Sequence, residues 1–356
     1  MHQRVEKVRE RLAQLKLDAF LISSLANIRY LFGFTGSNGI ALITSGLSFF
    51  ISDRRYTQQA HNQVNNAKIL IAQKDLLGEL KKTGVLSSDG RLGLETAHLT
   101  VKEYSYLRKN FPKMRPVACE RIIERIASIK EAAEIESIGK AAAICGKVYA
   151  EILRMIKPGI SELEVSAEIS YRSKLSGSES DPFEPIVASG VRSALPHGIS
   201  SKKKLLAGDL VILDFGAVVD DYASDFTRTI VLGRPTSQQE EMFDVVESAL
   251  RLSQSSVRSG MKGKDLDKIA RDHLTERNYG EFFQHSLGHG IGLEIHGLPR
   301  IGERSNDPLE VGHVIALEPG VYVPDVGGVR IEDDFVITEN GVENLSDFSR
   351  ELVCAG

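Results

Sequence analysis

The stretch LVILDFGAVVDDYASDFTRTIVL, residues 210–232, sets two acids among apolar residues and decides how this part of the chain folds. Its apolar start, Leu210–Leu213, predicts a buried strand with Asp214 at its end. A turn centred at residues 219–220 would place Asp225 opposite Asp214. Cross-strand partners of this kind have Cβ atoms about 5 Å apart. The stretch therefore predicts a hairpin that presents two neighbouring carboxylates.

A second pair of acids occurs in the same kind of setting further along the sequence. Glu318 follows the apolar run Val314–Leu317, and Glu332 follows Gly328–Ile331. Turn residues centred near Asp325 predict a second hairpin, which places these two acids across from each other. We therefore expect two hairpins that each present a pair of carboxylates from apolar strands.

Four carboxylates that are buried together need cations, because unpaired buried charge is costly and neighbouring acids raise each other's pKa. Two divalent ions would balance the four negative charges if the remaining ligand is a neutral histidine. His289 fits this position, since the glycines on either side of it allow close approach of the backbone. The sequence thus predicts a site for two metal ions with five ligands: Asp214, Asp225, His289, Glu318 and Glu332.

The predicted ligand set also indicates the chemistry of the site. Mixed oxygen and nitrogen ligands favour Mn, Co, Fe or Zn over Mg or Ca. Two such ions about 3.5–4 Å apart generate a hydroxide nucleophile at neutral pH and polarise a carbonyl group, so we expect hydrolysis. A single acid at a strand end is usually a turn residue, and it is the order and spacing of all five residues that indicate a metal centre.

Three further histidines and one arginine are candidates for contact with a substrate. His285 and His296 flank the predicted ligand histidine, and His197 follows a proline further upstream. Beside a metal pair, these histidines could donate hydrogen bonds to a tetrahedral intermediate and shape the pocket. Arg330 lies two residues before the last predicted ligand on a strand, so it should point to the same face. There it would orient a carboxylate ligand or hold a substrate carboxylate.

The composition is that of an ordinary globular protein and argues against nucleic-acid binding. The 356 residues carry a net charge of -4, with 42% hydrophobic and 26% charged residues. A nucleic-acid-binding domain would normally show a basic excess or a basic face. The dense basic run Lys202–Lys204 is expected to be a solvated loop. We therefore expect no nucleic-acid partner.

Three features predict a cytoplasmic protein without a membrane segment. Residues 30–52 carry no charged side chain, but glycines divide this stretch and predict short buried strands with turns. The cysteines, Cys119, Cys145 and Cys354, are widely spaced and match neither a disulfide framework nor a zinc ribbon. The charged, helix-like start lacks the apolar core of a signal peptide.

The order of the predicted elements indicates two domains. A helix over residues 2–16 and strands at 19–22, 39–44, 47–51 and 68–72 predict an N-terminal α/β domain of residues 1–120. The second domain, residues 121–356, begins with a helical stretch from Arg121 to Met155. Beyond it we predict helices at 161–175, 237–258 and 264–277, and strands at 186–189, 210–215, 228–232, 314–323 and 328–337.

Taken together, the motifs resemble the M24 metallopeptidases, the pita-bread group. The motifs are PHG at 196–198, LDFGAVVDDYASDFTRT at 213–229, HSLGHGIGLEIHGLP at 285–299, ALEPGVYVP at 316–324 and GGVRIED at 327–333. Within that family the sequence is most similar to Xaa-Pro dipeptidases (prolidases) and Xaa-Pro aminopeptidases. NIRYLFGFTGSNG at 27–39 and SDRRY at 52–56 resemble their creatinase-type N-terminal domain. The resemblance thus covers nearly the whole chain and implies a creatinase-like α/β domain before a pita-bread catalytic domain of duplicated αββ units.

The resemblance also implies an activity and a role for each candidate residue. It implies a homodimeric Xaa-Pro metallopeptidase with two divalent ions, typically Mn, Co or Zn, acting on proline-containing dipeptides or short peptides. The five predicted ligands match the family's metal ligands, and Glu318 would also shuttle protons for the bridging hydroxide that attacks the carbonyl before proline. His197 and His296 would stabilise the tetrahedral intermediate, and His285 would line the pocket for proline.

One departure from the family pattern leaves the substrate length open. Prolidase-like members often read HE-x-P where this chain has His296-Gly297-Leu298-Pro299, so a preference for dipeptides or for longer peptides does not follow. A creatinase-like amidinohydrolase and a catalytically silent binding protein on the same fold are the alternatives. The intact set of five ligands disfavours both, and the N-terminal domain disfavours a methionine aminopeptidase.

Overall fold

The computed structural model describes residues 2–86, 89–346 and 348–356. The chain divides into two compact units, Met1–Ala127 and Ser128–Gly356. The predicted domain boundary at residue 120 lies before a short helix, Ile122–Ser128, and the division lies at the last residue of that helix.

The first unit is built on a mixed six-stranded sheet in the order β4-β3-β2-β1-β5-β6. Its strands are β1 (Ala19–Ile22), β2 (Ile40–Thr44), β3 (Ser48–Asp53), β4 (Lys68–Ala72), β5 (Gly90–Glu95) and β6 (Met114–Cys119). Strand β2 is antiparallel to both neighbours, and the other pairs are parallel. The uncharged stretch 30–52 thus supplies two buried strands, as predicted, and no helix among the described residues is long and apolar enough to cross a bilayer.

The helices of this unit are α1 (His2–Gln14), α2 (Leu25–Phe32), α3 (Thr57–Gln63), α4 (Leu76–Lys82), α5 (Val101–Asn110) and α6 (Ile122–Ser128). The predicted first helix is confirmed, and it buries Val5, Val8 and Leu12 on one face. Strand β6 was not predicted, because Pro116 interrupts its pattern. Proline is tolerated there since β6 lies at the edge of the sheet and pairs on one side with β5.

The second unit contains four α-helices and eleven strands among the residues that the structure describes. The helices are α7 (Ala132–Leu153), α8 (Glu162–Leu175), α9 (Ser237–Ser256) and α10 (Gly263–Glu276). The strands are β7 (Ile186–Ser189), β8 (Leu210–Val219), β9 (Tyr222–Leu232), β10 (Gly288–Gly290), β11 (Gly297–Ile301), β12 (Val314–Leu317), β13 (Gly320–Val323), β14 (Gly327–Arg330), β15 (Asp333–Thr338), β16 (Gly341–Asn344) and β17 (Val353–Ala355). The predicted helices are confirmed to within a few residues, and capping boxes at Ser161 and Thr236 explain where α8 and α9 begin.

Two similar halves make up this unit. In the first half, α7 and α8 pack on the sheet β17-β9-β8-β7 through a core that includes Val148, Ile169 and Phe226. In the second half, α9 and α10 pack on the sheet β11-β10-β12-β15-β16 and on the ribbon β13-β14. Each half therefore combines a helix pair with a long antiparallel hairpin, and the two hairpins carry the four predicted carboxylate ligands.

Candidate metal centre

The first hairpin, β8–β9, positions Asp214 and Asp225 differently from the prediction. Asp214 pairs with Thr227, and Asp225 pairs with Gly216. The predicted pairing of 214 with 225 is wrong because the turn lies between Asp220 and Asp221, which both have positive φ angles of 51° and 63°. A two-residue turn of this kind matches the twist of the strands. The two acids are diagonal neighbours that still share one face of the hairpin.

The second hairpin is interrupted where it carries Glu318 and Glu332. Strand β12 pairs with β15, and β13 pairs with β14, in one continuous register around the predicted turn at Asp325. Between these ladders both strands are interrupted, at Glu318-Pro319 and at Ile331-Glu332. The predicted strands at 314–323 and 328–337 are thus each divided in two, and the register on both sides of the break places Glu318 across from Glu332, as predicted.

His289 lies in the short central strand β10, between β11 and β12. It pairs with Ala316 of β12, two residues before Glu318. A Cβ atom at Gly290 would lie 1.8 Å from the carbonyl oxygen of Leu298, and one at Gly288 would lie 2.0 Å from that of Ala316. The glycines therefore let three strands pack closely around the histidine, which is the close approach that the sequence predicted.

One cavity of about 300 Å³ brings the candidate residues together. Its lining includes all nine: His197, Asp214, Asp225, His285, His289, His296, Glu318, Arg330 and Glu332. Phe183, Pro185, Ile186, Pro196 and Ile199 supply an apolar wall. The four acids, which span more than a hundred residues of sequence, thus converge with a histidine on one small volume.

The distances in this cavity suit shared cations. Asp225, His289 and Glu332 each offer a ligand atom, and these three atoms lie within 4.8 Å of one another. His289 Nε2 is 3.7 Å from Asp225 Oδ2 and 3.7 Å from Glu318 Oε1. Within the described residues, Asp214 Oδ1, Asp225 Oδ1 and Glu332 Oε1 are buried and have no hydrogen-bond partner. Buried oxygens without donors fit divalent ions, which would supply the missing positive charge.

The pKa values of the acids in the cavity also favour bound cations. Burial, reinforced by the other acids, raises the pKa of Asp225 and of Glu318 well above their ordinary values. Burial and the charge of Asp214 raise the pKa of Glu332 to about 8. Carboxyl groups with such pKa values are held together in an environment that disfavours their charge, and cations relieve that cost.

His289 is neutral and oriented for metal binding. Burial, followed by the neighbouring His296, lowers the pKa of His289 to about 3. Its Nδ1 lies 3.2 Å from the carbonyl oxygen of Gly290, which can only accept, so Nδ1 carries the proton. The lone pair of Nε2 therefore faces Asp225 and Glu318, as a metal ligand requires.

Arg330 is committed to contacts within the protein. It is buried and forms an ion pair with Asp214 through Nη2. Its Nη1 donates to the hydroxyl of Tyr322 at 2.7 Å and to the carbonyl oxygen of Pro196 at 3.0 Å. These contacts favour the orienting role over the holding of a substrate carboxylate.

Tyr322 connects Arg330 to His285 through hydrogen bonds, and it was not predicted as a site residue from the sequence. His285 Nδ1 donates to the carbonyl oxygen of Ser286, so its Nε2 accepts from the Tyr322 hydroxyl at 2.8 Å. Burial, followed by the charge of Arg330, lowers the pKa of His285 to about 4, consistent with this neutral ring. Strand alternation could have indicated Tyr322, because Gly320 and Tyr322 follow Glu318 at intervals of two and residues at this spacing share one face of a strand.

Three hydrogen bonds hold the segments that carry Asp225 and Glu332 in place. Thr227 Oγ1 donates to Glu332 Oε2 at 2.6 Å, and the Glu332 backbone N–H donates to the carbonyl oxygen of Thr227. The Asp225 backbone N–H donates to Asp334 Oδ2 at 3.0 Å. The two hairpins are thus joined at the acids themselves.

The remaining histidines lie on the accessible side of the cavity. His197 and His296 are both exposed, and the ring of His296 meets that of His289 edge to face with centroids 4.6 Å apart. Gly297, the position that departs from the family pattern, pairs with Gly290 in β11. Its Cβ position would lie 3.2 Å from the Gly290 carbonyl oxygen, so a side chain there would require a small shift of this oxygen.

Comparisons with known proteins agree over nearly the whole chain. The model of metallopeptidase family M24 matches residues 136–339, and that of the creatinase/prolidase N-terminal domain matches residues 4–129. A Pyrococcus furiosus protein named Xaa-Pro dipeptidase is 38% identical over 356 residues, covering 99% of this chain and 100% of that protein. The solved structure of an Xaa-Pro dipeptidase from Bacillus anthracis is 37% identical with a TM-score of 0.95, covering 99% of each chain. That of an X-Pro aminopeptidase from Thermotoga maritima is 35% identical with a TM-score of 0.89, covering 97% of this chain and 100% of that one.

Proposed function

This chain belongs to metallopeptidase family M24, and on that premise we propose that it hydrolyses the peptide bond before proline in Xaa-Pro dipeptides or at the start of Xaa-Pro peptides. The observation that carries the proposal is the convergence of four carboxylates and a neutral histidine on one cavity. Several of the carboxylate oxygens there are buried and have no donor among the described residues. The specificity for proline is supported by similarity to proteins named Xaa-Pro dipeptidase and X-Pro aminopeptidase.

We propose that Asp214, Asp225, His289, Glu318 and Glu332 hold two divalent ions, with Mn, Co or Zn as the candidates. Bound there, the ions would act as Lewis acids on the scissile carbonyl and lower the pKa of water to near neutrality. The orphaned oxygens of Asp214, Asp225 and Glu332 support this assignment, and so does the free Nε2 of His289.

Glu318 is proposed to move the proton during hydrolysis. Its side chain is 21% exposed, compared with 10% for Asp214 and 7% for Asp225. It is therefore the more accessible carboxylate, and burial raises its pKa so that it can carry a proton to the proline nitrogen. His197 and His296, on the accessible side of the cavity, would donate hydrogen bonds to the oxygen that becomes negative, and His285 would line the proline pocket.

We further propose a cytoplasmic homodimer. All three cysteines are free, with Cys119 and Cys145 buried and Cys354 exposed, which fits a reducing compartment. Sedimentation at several protein concentrations would test the dimer, and a monomer at all of them would exclude it.

A product assay tests the proposed activity. Purified protein is incubated with Xaa-Pro, Xaa-Pro-Yaa and longer Xaa-Pro peptides, with Mn, Co or Zn added in turn. Cleavage of the dipeptide alone would establish a dipeptidase, and efficient cleavage of the longer peptides would establish an aminopeptidase. Loss of turnover in Glu318→Gln and Asp225→Asn, with an unchanged circular dichroism spectrum, is expected. Metal-loaded wild-type protein that cleaves none of these peptides would refute the proposal.

A further inference from the structure

A loop of the second unit places part of the cavity wall. Residues 190–200, which we call the histidine loop, connect β7 to the segment that runs back along the start of α8. His197 and Ile199 of this loop line the cavity, although both are exposed. Because the exposed side chains of this loop gain little order from packing, hydrogen bonds and ion pairs must hold them in place.

Glu162 joins the two residues that flank the histidine loop. It is the first residue of α8, is fully buried, and is not among the residues that line the cavity. Its Oε1 accepts from the backbone N–H and the hydroxyl of Ser189, at 2.9 and 2.8 Å. Its Oε2 accepts from the backbone N–H and the hydroxyl of Ser201, at 3.1 and 2.6 Å. One carboxylate therefore fixes the distance between the two ends of the loop.

Arg192 extends this connection into the loop. Its Nε lies 3.1 and 3.3 Å from the two oxygens of Glu162, which neutralises the buried carboxylate. Its Nη2 donates to the carbonyl oxygen of Ile199 at 2.6 Å. The guanidinium thus links the buried anchor to the arm of the loop that follows His197.

The opposite side of the loop rests on the metal-site hairpin. Ser193 Oγ accepts from the backbone N–H of Gly328 at 2.8 Å, and the carbonyl oxygen of Pro196 accepts from Arg330. These contacts set the loop against the strand that leads to Glu332. Without the anchor at Glu162, they would hold one side of the loop only.

We propose that Glu162 and Arg192 are positioning residues that act through His197, and that they determine turnover of substrate without affecting metal binding. This inference rests on the proposed peptidase function. A hydrogen-bond donor aimed at developing charge is effective only when it is held in place beforehand. Misplacement of a reacting group by about 1 Å can cost about 100-fold in rate. Five donors from Ser189, Arg192 and Ser201 stabilise the buried carboxylate of Glu162.

The primary variant is Arg192→Met, because the side chain of Arg192 is 31% exposed and the Glu162 carboxylate keeps its four donors from Ser189 and Ser201. Glu162→Gln is the second variant, which keeps the shape of the anchor and removes its charge. The matched control is Arg172→Met, since Arg172 has a similar exposure of 30% and pairs with Glu151 and Glu168, and it does not line the cavity.

Three quantities are measured on the full-length protein: the kinetic constants of the metal-loaded enzyme for an Xaa-Pro dipeptide, the affinity for Mn²⁺ and the rate of hydrogen exchange. We expect Arg192→Met to lower kcat/KM by about 10- to 100-fold, mainly through kcat. Affinity for Mn²⁺, measured by competition with a chelator, should stay within about twofold of wild type. Hydrogen exchange should become faster over residues 190–200 in Arg192→Met and Glu162→Gln, while Arg172→Met matches wild type in all three measurements.

A double-mutant cycle with His197→Ala identifies the route of the effect. If Arg192 acts through His197, Arg192→Met should cost less than about threefold in the His197→Ala background. An undiminished loss in that background, a parallel loss of Mn²⁺ affinity, or wild-type kinetics in Arg192→Met would overturn the inference. Wild-type protein that cleaves no Xaa-Pro peptide would instead overturn the proposed function, and faster exchange in the variants would then show an anchor without a role in turnover.

Discussion

Thr227 offers a sharp test of how the metal centre is built, because its hydroxyl touches a predicted ligand without being one. Thr227 is fully buried in β9, and its Oγ1 donates to Glu332 Oε2 at 2.6 Å. Thr227→Val removes this hydrogen bond at almost constant volume. A hydrogen bond to a charged group contributes about 1.5–3 kcal/mol. We therefore expect the affinity for Mn²⁺ or Co²⁺ to fall by about 10- to 100-fold, the range seen when partners of metal ligands are removed.

The matched control is Thr229→Val, two residues along the same strand. Thr229 is also buried, and its hydroxyl donates to the carbonyl oxygen of Arg330 and accepts from the Arg330 backbone N–H. It therefore has the same chemistry but no contact with a carboxylate. The assay is titration of metal-free protein by calorimetry or by competition with a chelator. Wild-type metal affinity in Thr227→Val, or an equal loss in Thr229→Val, would refute the role assigned to the Thr227 hydroxyl.

Three further outcomes are expected. Chelation should lower the Tm, because the four clustered acids then lack cations, and metal at about 100 times its Kd should restore about 2.7 kcal/mol of unfolding free energy. A Tm that does not respond to metal, or a full response in Asp225→Asn, would contradict this. Burial, followed by the charge of Lys130, lowers the pKa of His313 to about 4, so protonation favours the unfolded chain and stability falls as the pH drops from about 6.5 towards 4. In His313→Asn the loss of unfolding free energy between about pH 7 and pH 4, measured with urea, should be smaller by about 3 kcal/mol. An unchanged loss would exclude the effect. Gly290→Ala should destabilise the protein by about 3 kcal/mol or more, because its Cβ would lie 1.8 Å from a backbone oxygen. The control is Gly139→Ala in α7, where a Cβ would meet no described atom within 4 Å and should cost no stability.

The turn of the first hairpin shows that the pattern of apolar and polar residues predicts the two strands but not their register. Apolar residues before Asp214 and the acids that follow were enough to predict two strands around a turn. The exact register depends on where the turn is centred, and Asp220 and Asp221 both adopt left-handed φ angles that shift the centre by one residue from the predicted position. Strand β9 also begins at Tyr222, well before the predicted start at residue 228, because ladder hydrogen bonds extend a strand through polar residues.

The break in the second hairpin has a similar origin. Residues 314–323 and 328–337 were each predicted as one strand because apolar residues lie on both sides of the acids in each range. The structure divides them at Glu318-Pro319 and Ile331-Glu332, where the proline has no N–H to donate to the ladder. At the second break the Glu332 N–H donates instead to the carbonyl oxygen of Thr227 on the other hairpin. That partner lies more than a hundred residues away, so no local pattern could have indicated it.

The sequence by itself determined the candidate ligands, the family resemblance and the existence of the two hairpins. These features depend on residue types and on spacings of a few residues, which set strand alternation, turn chemistry and the cost of burying charge. Only the tertiary structure decided how the site is held. Arg330 meets Asp214 across 116 positions, and Glu162 reaches Ser201 across 39. Such partners are brought together by the packing of helices and sheets, whose geometry is a property of the whole fold and leaves no periodic signal in the chain.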